Sequence, residues 1–166
     1  MIVIPKVLTE LLRELHAEVA RAVALDFAEQ SIDESFPGGD ALAEAALSYL
    51  AAARAVLEEG DTTRLAAAHD AYFAAHSLSS VRAQDASWIA AIAVAAACKQ
   101  QLERLGVVIR ATRYRPTVVD VAEEAQKVAG RQALAQHVDP VAVQGARWEA
   151  ARRQLLHLIA VSPSPV

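Results

Sequence analysis

The chain has 166 residues, a single cysteine and a net charge of −4, with an isoelectric point near 5.7. That length suits one domain with its own core. One cysteine excludes an internal disulfide and a thiolate metal cluster, and the acidic balance argues against a general nucleic-acid binder, which needs a basic surplus to neutralise phosphate.

Hydrophobic residues make up 54% of the chain but aromatics only 5%. Much of the apolar content is alanine, the best helix former and a small contributor to burial. The mean hydropathy of +0.22 therefore points to helices packed closely through small side chains. Charge is uneven along the chain. Residues 1–60 carry 11 acids and 4 bases, whereas residues 107–166 carry 8 bases and 5 acids. An acidic half suits a basic partner surface, and it equally suits an ordinary solvated helix face. The unpaired cysteine fits a reducing compartment. The N-terminal MIVIPKVLTELL lacks the basic region, apolar stretch and cleavage site of a signal peptide. Together these predict a cytoplasmic protein.

Six helical segments follow in chain order. The first spans Lys6 to Asp33, with Leu8, Leu12, Leu15, Val19, Val23 and Phe27 as one apolar stripe. It stops at Phe36-Pro37-Gly38-Gly39. Asp40 is the expected N-cap of the second, Ala41 to Glu59, whose stripe is Leu42, Ala46, Leu50, Ala53 and Leu57 and whose end is marked by Gly60. The third, Thr63 to Leu78, is capped by Asp61 or Thr62 and pairs antiparallel with the second because the loop is short.

The fourth segment, Val81 to Leu105, contains Trp88-Ile-Ala-Ala-Ile-Ala-Val-Ala-Ala-Ala-Cys98, eleven residues without a polar side chain other than the indole N–H and the thiol. A membrane-spanning helix needs roughly 20 apolar residues, and this run ends in Lys99-Gln-Gln-Leu-Glu-Arg. It is expected instead to be the central helix of a bundle. Trp88, Ala91, Ala95, Cys98, Leu102 and Leu105 form a seam, with Ile89, Ile92 and Ala96 beside it and Trp88 filling a gap at one end. Residues 107–116 read as an extended connector or a frayed continuation. The fifth segment, Val118 to Gln136, is capped by Thr117 and weakened or bent at Gly130. Asp139-Pro140 starts the sixth, with Val141, Trp148, Ala151, Leu155 and Leu158 on one face. The expected fold is an all-α, single-domain bundle of five or six helices over residues 1–161, followed by a disordered tail at 162–166.

Candidate chemistry is sparse. His69 and His76 lie on one face of the third segment with Tyr72 between them, but two helical turns separate them by about 10 Å, too far for one metal ion. No His-x-x-x-His or Glu-x-x-His pair occurs in the chain. No metal site, catalytic residue or cofactor is predicted. His69, Tyr72 and His76 with Trp88 could line a small-molecule pocket between the third and fourth segments, which keeps an enzyme or ligand-binding reading open. Cys98, set among apolar residues, reads as an inert thiol. Arg110, Arg113, Tyr114 and Arg115 interleave cations with an aromatic, a pattern that grips phosphate or an acidic partner. The alanine seams also suit pairing of two copies of the chain.

Three stretches carry a resemblance: ALSYLAAARAVLEEGD, RLAAAHDAYFAAH and ASWIAAIAVAAACKQQ, with the acidic ALDFAEQSIDESFPGGD before them. In character they resemble the Ala-rich helical immunity proteins of bacterial toxin systems. Where that family's later Ala-rich helix tends to carry histidine near its end, this chain has Cys98 and Lys99. The resemblance implies a small non-catalytic cytoplasmic protein that binds and masks a toxin. On that reading Glu29, Asp33, Glu34, Asp40 and Glu44 form the first partner surface to consider.

Overall fold

The computed structural model describes residues 4–106, 115–136 and 139–161. The described residues are all-helical, in seven helices: α1 (Ile4–Arg13), α2 (Ala17–Ser35), α3 (Ala41–Glu59), α4 (Leu65–Ser77), α5 (Val81–Arg104), α6 (Val118–Gln136) and α7 (Pro140–Val161). No helix among them is long and apolar enough to cross a membrane.

Helix ends follow the local chemistry. Asp40 accepts a 2.8 Å hydrogen bond from the Ala43 amide and starts α3; Gly60, at φ 67°, ends it in the left-handed conformation that glycine takes without a Cβ penalty. Ser80 caps α5 through the Ala83 amide, and Asp139 caps α7 through the Val141 amide. At α6 the cap runs backwards from the expected direction. The Thr117 amide and hydroxyl both donate to the Asp120 carboxylate, at 2.7 and 3.1 Å. Asp61 does not cap α4 directly. Its carboxylate accepts from the Thr63 amide and hydroxyl, and the helix begins two residues later.

The first expected helix is two. The chain turns at Glu14 to His16, between α1 and α2. The i, i+3/i+4 stripe runs through the break unaltered in sequence, so periodicity could not reveal it. Packing does: Leu8 and Leu12 bury on one side and Val23 and Phe27 on the other, while Val19 is exposed. The separated α1 lies against α7 and α6.

Helices α2 and α5 form the centre. Each touches the other, α3 and α6, and α5 also touches α4. Alanines 24, 28, 46, 53, 90 and 93 are fully buried, which lets these backbones approach closely. Ile89 and Ile92, expected beside the seam, are buried, together with Ala90, Ala93, Val94 and Ala97, which lay outside the expected faces. Cys98 and Leu102 are buried, but Trp88 and Leu105 stand about two-fifths exposed, at 41% and 42%. Cys98 itself has non-helical angles (φ −131°, ψ 26°) that kink the helix. A seam drawn straight across that kink joins positions that do not share a face. On α7 Val141 is likewise exposed.

Gly130 serves packing. A Cβ there would come within 2.9 Å of Arg147 Cγ on α7, so glycine allows the close approach of α6 and α7. Between the same helices Gln126 Nε2 donates to Gln154 Oε1, and Gln154 Nε2 donates to the Ala122 carbonyl, both at 3.0 Å and buried. Gln154→Leu is expected to cost about 1–3 kcal/mol, because it strands the Gln126 amide. Gln126→Leu added to it should recover most of that loss in urea denaturation, since no buried polar group then lacks its partner.

Candidate functional site

The four residues anticipated for a pocket between the third and fourth segments do meet, between α4 and α5, but as a packed stack of rings. Tyr72 is fully buried and stacks on Tyr49 of α3, with ring centroids 5.5 Å apart and planes at 28°. Its hydroxyl donates to the Ser87 carbonyl at 3.1 Å. His69 sits edge-on to Tyr49 and 4.6 Å from Phe73, and its Nδ1 lies 3.1 Å from an Asp70 carboxylate oxygen. Trp88 closes the stack at the surface, 5.6 Å from the His76 ring and edge-on to Phe73 at 6.1 Å.

Local sequence explains the stack. His69, Phe73 and His76 follow i, i+4, i+7 spacing on α4, so they rise on one face. Tyr49 reaches His69 and Tyr72 from α3, the helix antiparallel by its short loop. Burial pushes the Tyr72 phenol up to about 12, with the Ser87 contact pulling the other way, and burial raises Tyr49 as well. Both remain neutral and act as packing. Sequence reading missed Tyr49 and Phe73; the spacing of Phe73 between the two histidines was the available signal.

The acidic residues divide. Glu29 accepts from Arg54 at 2.7 Å, and the same guanidinium nitrogen holds Asp26 at 2.7 Å. Asp26 in turn lies 2.8 Å from His157 Nε2, so one network ties α2, α3 and α7. Glu34 pairs with Arg153 of α7 at 2.9 Å, and Asp40 is the α3 cap. Three of the five anticipated surface acids are therefore engaged within the fold, and Asp33 and Glu44 remain as exposed carboxylates. Arg110, Arg113 and Tyr114 lie outside the described residues; Arg115 is exposed beside buried Pro116.

Cys98 is fully buried, with its thiol directed at the Ala53 carbonyl, 3.7 Å away. Burial pushes the thiol up to about 11, against a small opposing pull from Arg21. It is expected to resist thiol reagents at neutral pH in the native state and to react once urea unfolds the chain. A raised thiol favours the folded state only while protonated in both states. That contribution is complete below its ordinary value near 9 and is lost as pH rises through about 11. Cys98→Ala should flatten that alkaline decline.

Among the described residues no group of three or more His, Cys, Asp or Glu side chains is placed to hold a metal ion. In comparisons with family models, curated proteins and solved structures, the chain matches none.

Proposed function

We propose that this chain is a non-catalytic protein-binding module that captures its partner on the α4–α5 face, with Trp88 as the anchor. One observation supports this above others: a large aromatic ring is held part-exposed by rings beneath it. Interface energy concentrates in such residues, Trp above all. A ring already braced by His76 and Phe73 loses little rotamer freedom on binding. Leu78, next to this face at the α4 end, is 89% exposed and extends the apolar surface. The resemblance to Ala-rich immunity proteins supplies the class of partner, a toxin masked by steric cover. The uncommitted acids Asp33 and Glu44 would then steer capture more than hold it.

The test is tagged capture from the native cell, followed by intact-mass analysis, for wild type, Trp88→Ala and the pair Asp33→Lys with Glu44→Lys. A stoichiometric protein that is lost with Trp88→Ala and kept with the charge reversal supports this reading. Loss with the charge reversal alone would move the interface to the acidic face. If the partner halts growth when expressed alone and is neutralised on co-expression, the immunity role follows.

A further inference from the structure

A groove of ≈ 590 Å³ runs beside the first two turns of α5, between them, the end of α2 and the later half of α6. Phe36, Val81, Ala86 and Val128 give it apolar walls, and Arg82 and Arg131 place two guanidinium groups along it. Its volume lies within the range of small-molecule sites, roughly 300–1,000 Å³.

We propose that this groove binds a monocarboxylate with a medium-length hydrocarbon body. The charge pattern selects the head group. Arg82 is exposed and makes no ion pair among the described residues. Arg131 makes one long contact, 3.4 Å to Glu124, which leaves most of its donors unused. Two such forks match a carboxylate. Asp85 lines the same groove, and its charge opposes a second negative charge on the ligand, which disfavours phosphate esters. Ser35 also lines it, as well as a much smaller neighbouring cavity, and its buried hydroxyl has no hydrogen-bond partner among the described residues.

The walls select the body. The groove follows α5 from Ser80 to Ala86 and α6 from Val128 to Ala135, about 10 Å of helix on each side at 1.5 Å per residue. That length suits a medium acyl chain laid along the helices, and not a long one.

Sodium octanoate titrated into the full ¹⁵N-labelled chain is the direct test. Saturable amide shifts confined to residues 35–36, 80–86 and 128–135 are expected. 1-Octanol and inorganic phosphate should each bind at least about tenfold more weakly, and Arg82→Gln and Arg131→Gln should each weaken octanoate by about tenfold. Ala86→Phe, which fills the groove from a partly exposed position, should abolish binding with the helical circular dichroism unchanged. Absence of saturation at millimolar octanoate, equal binding of octanol, or shifts centred on Trp88 would each overturn the proposal. Trp88 packs on Phe73 and His76 and does not line the groove, so Trp88→Ala should leave octanoate binding intact, and this result and partner capture are read separately.

Discussion

Tyr72→Ala is expected to lose about 3–5 kcal/mol of folding stability, the range for removing a buried large aromatic. Tyr72 is fully buried and touches the rings of Tyr49, Phe73 and His76. Removing it leaves a void between α3, α4 and α5 that helices, being stiff, close only in part. Tyr72→Phe keeps the ring and loses the 3.1 Å bond to the Ser87 carbonyl and the 3.5 Å contact with the Ser87 hydroxyl. That carbonyl lies inside α5 and retains its helical partner, so the cost should be near 1 kcal/mol. Urea denaturation followed by far-ultraviolet circular dichroism separates the two. A second readout is specific to the stack. In a Trp148→Phe background, Trp88 fluorescence should shift to longer wavelength with Tyr72→Ala before any global unfolding, because the rings that brace the indole lose their support. Equal stabilities for the Ala and Phe variants would show that the stack contributes hydrogen bonding and not packing.

Trp88→Ala is expected to weaken partner binding by at least about 30-fold, or 2 kcal/mol, the threshold of an interface hot spot. Truncation also costs stability. A fully buried tryptophan would cost about 3–5 kcal/mol, and this ring is 41% exposed, so about 2 kcal/mol is expected. The chain should stay folded. The control is Leu42→Ala, a buried site on α3 expected to cost about 2–5 kcal/mol. It should reduce stability at least as much and leave affinity unchanged. If both variants weaken binding in proportion to their stability loss, Trp88 is a structural residue and the α4–α5 face is not the interface.

The groove proposal and the partner proposal rest on different physics. Affinity at Trp88 is a matter of desolvated aromatic area and should fall little with salt. Octanoate in the groove depends on two exposed guanidinium groups, and rising ionic strength should weaken it.

The residues themselves determined the class of fold and most helix boundaries. The bounds of α3 and α6, the caps at Asp40 and Asp139 and the stop at Gly60 are local matters, decided by which side chain can satisfy an orphan backbone group and which residue tolerates positive φ. The placement of α5 at the centre was legible too, because a helix so poor in polar groups must be covered by others. What tertiary structure decided is the orientation of faces. The turn at Glu14–His16 interrupts a stripe whose periodicity is unbroken, and the kink at Cys98 divides the expected seam of α5. Trp88, before the kink, stands part-exposed at the surface while Cys98 and Leu102 are buried.

The same holds for the candidate sites. Sequence spacing put His69, Tyr72 and His76 on one face, but only the packing of α3 and α5 brought Tyr49 and Trp88 against them. The acidic stretch read as a surface. Long-range pairing of Glu29 with Arg54 and of Glu34 with Arg153 removed two of its charges, across 25 and 119 residues of chain. No local pattern encodes such partners, since an exposed carboxylate and a paired one have the same sequence neighbours. Helix formation is a property of nearby residues, whereas burial and pairing depend on which helix arrives opposite, and that is settled only when the whole core packs.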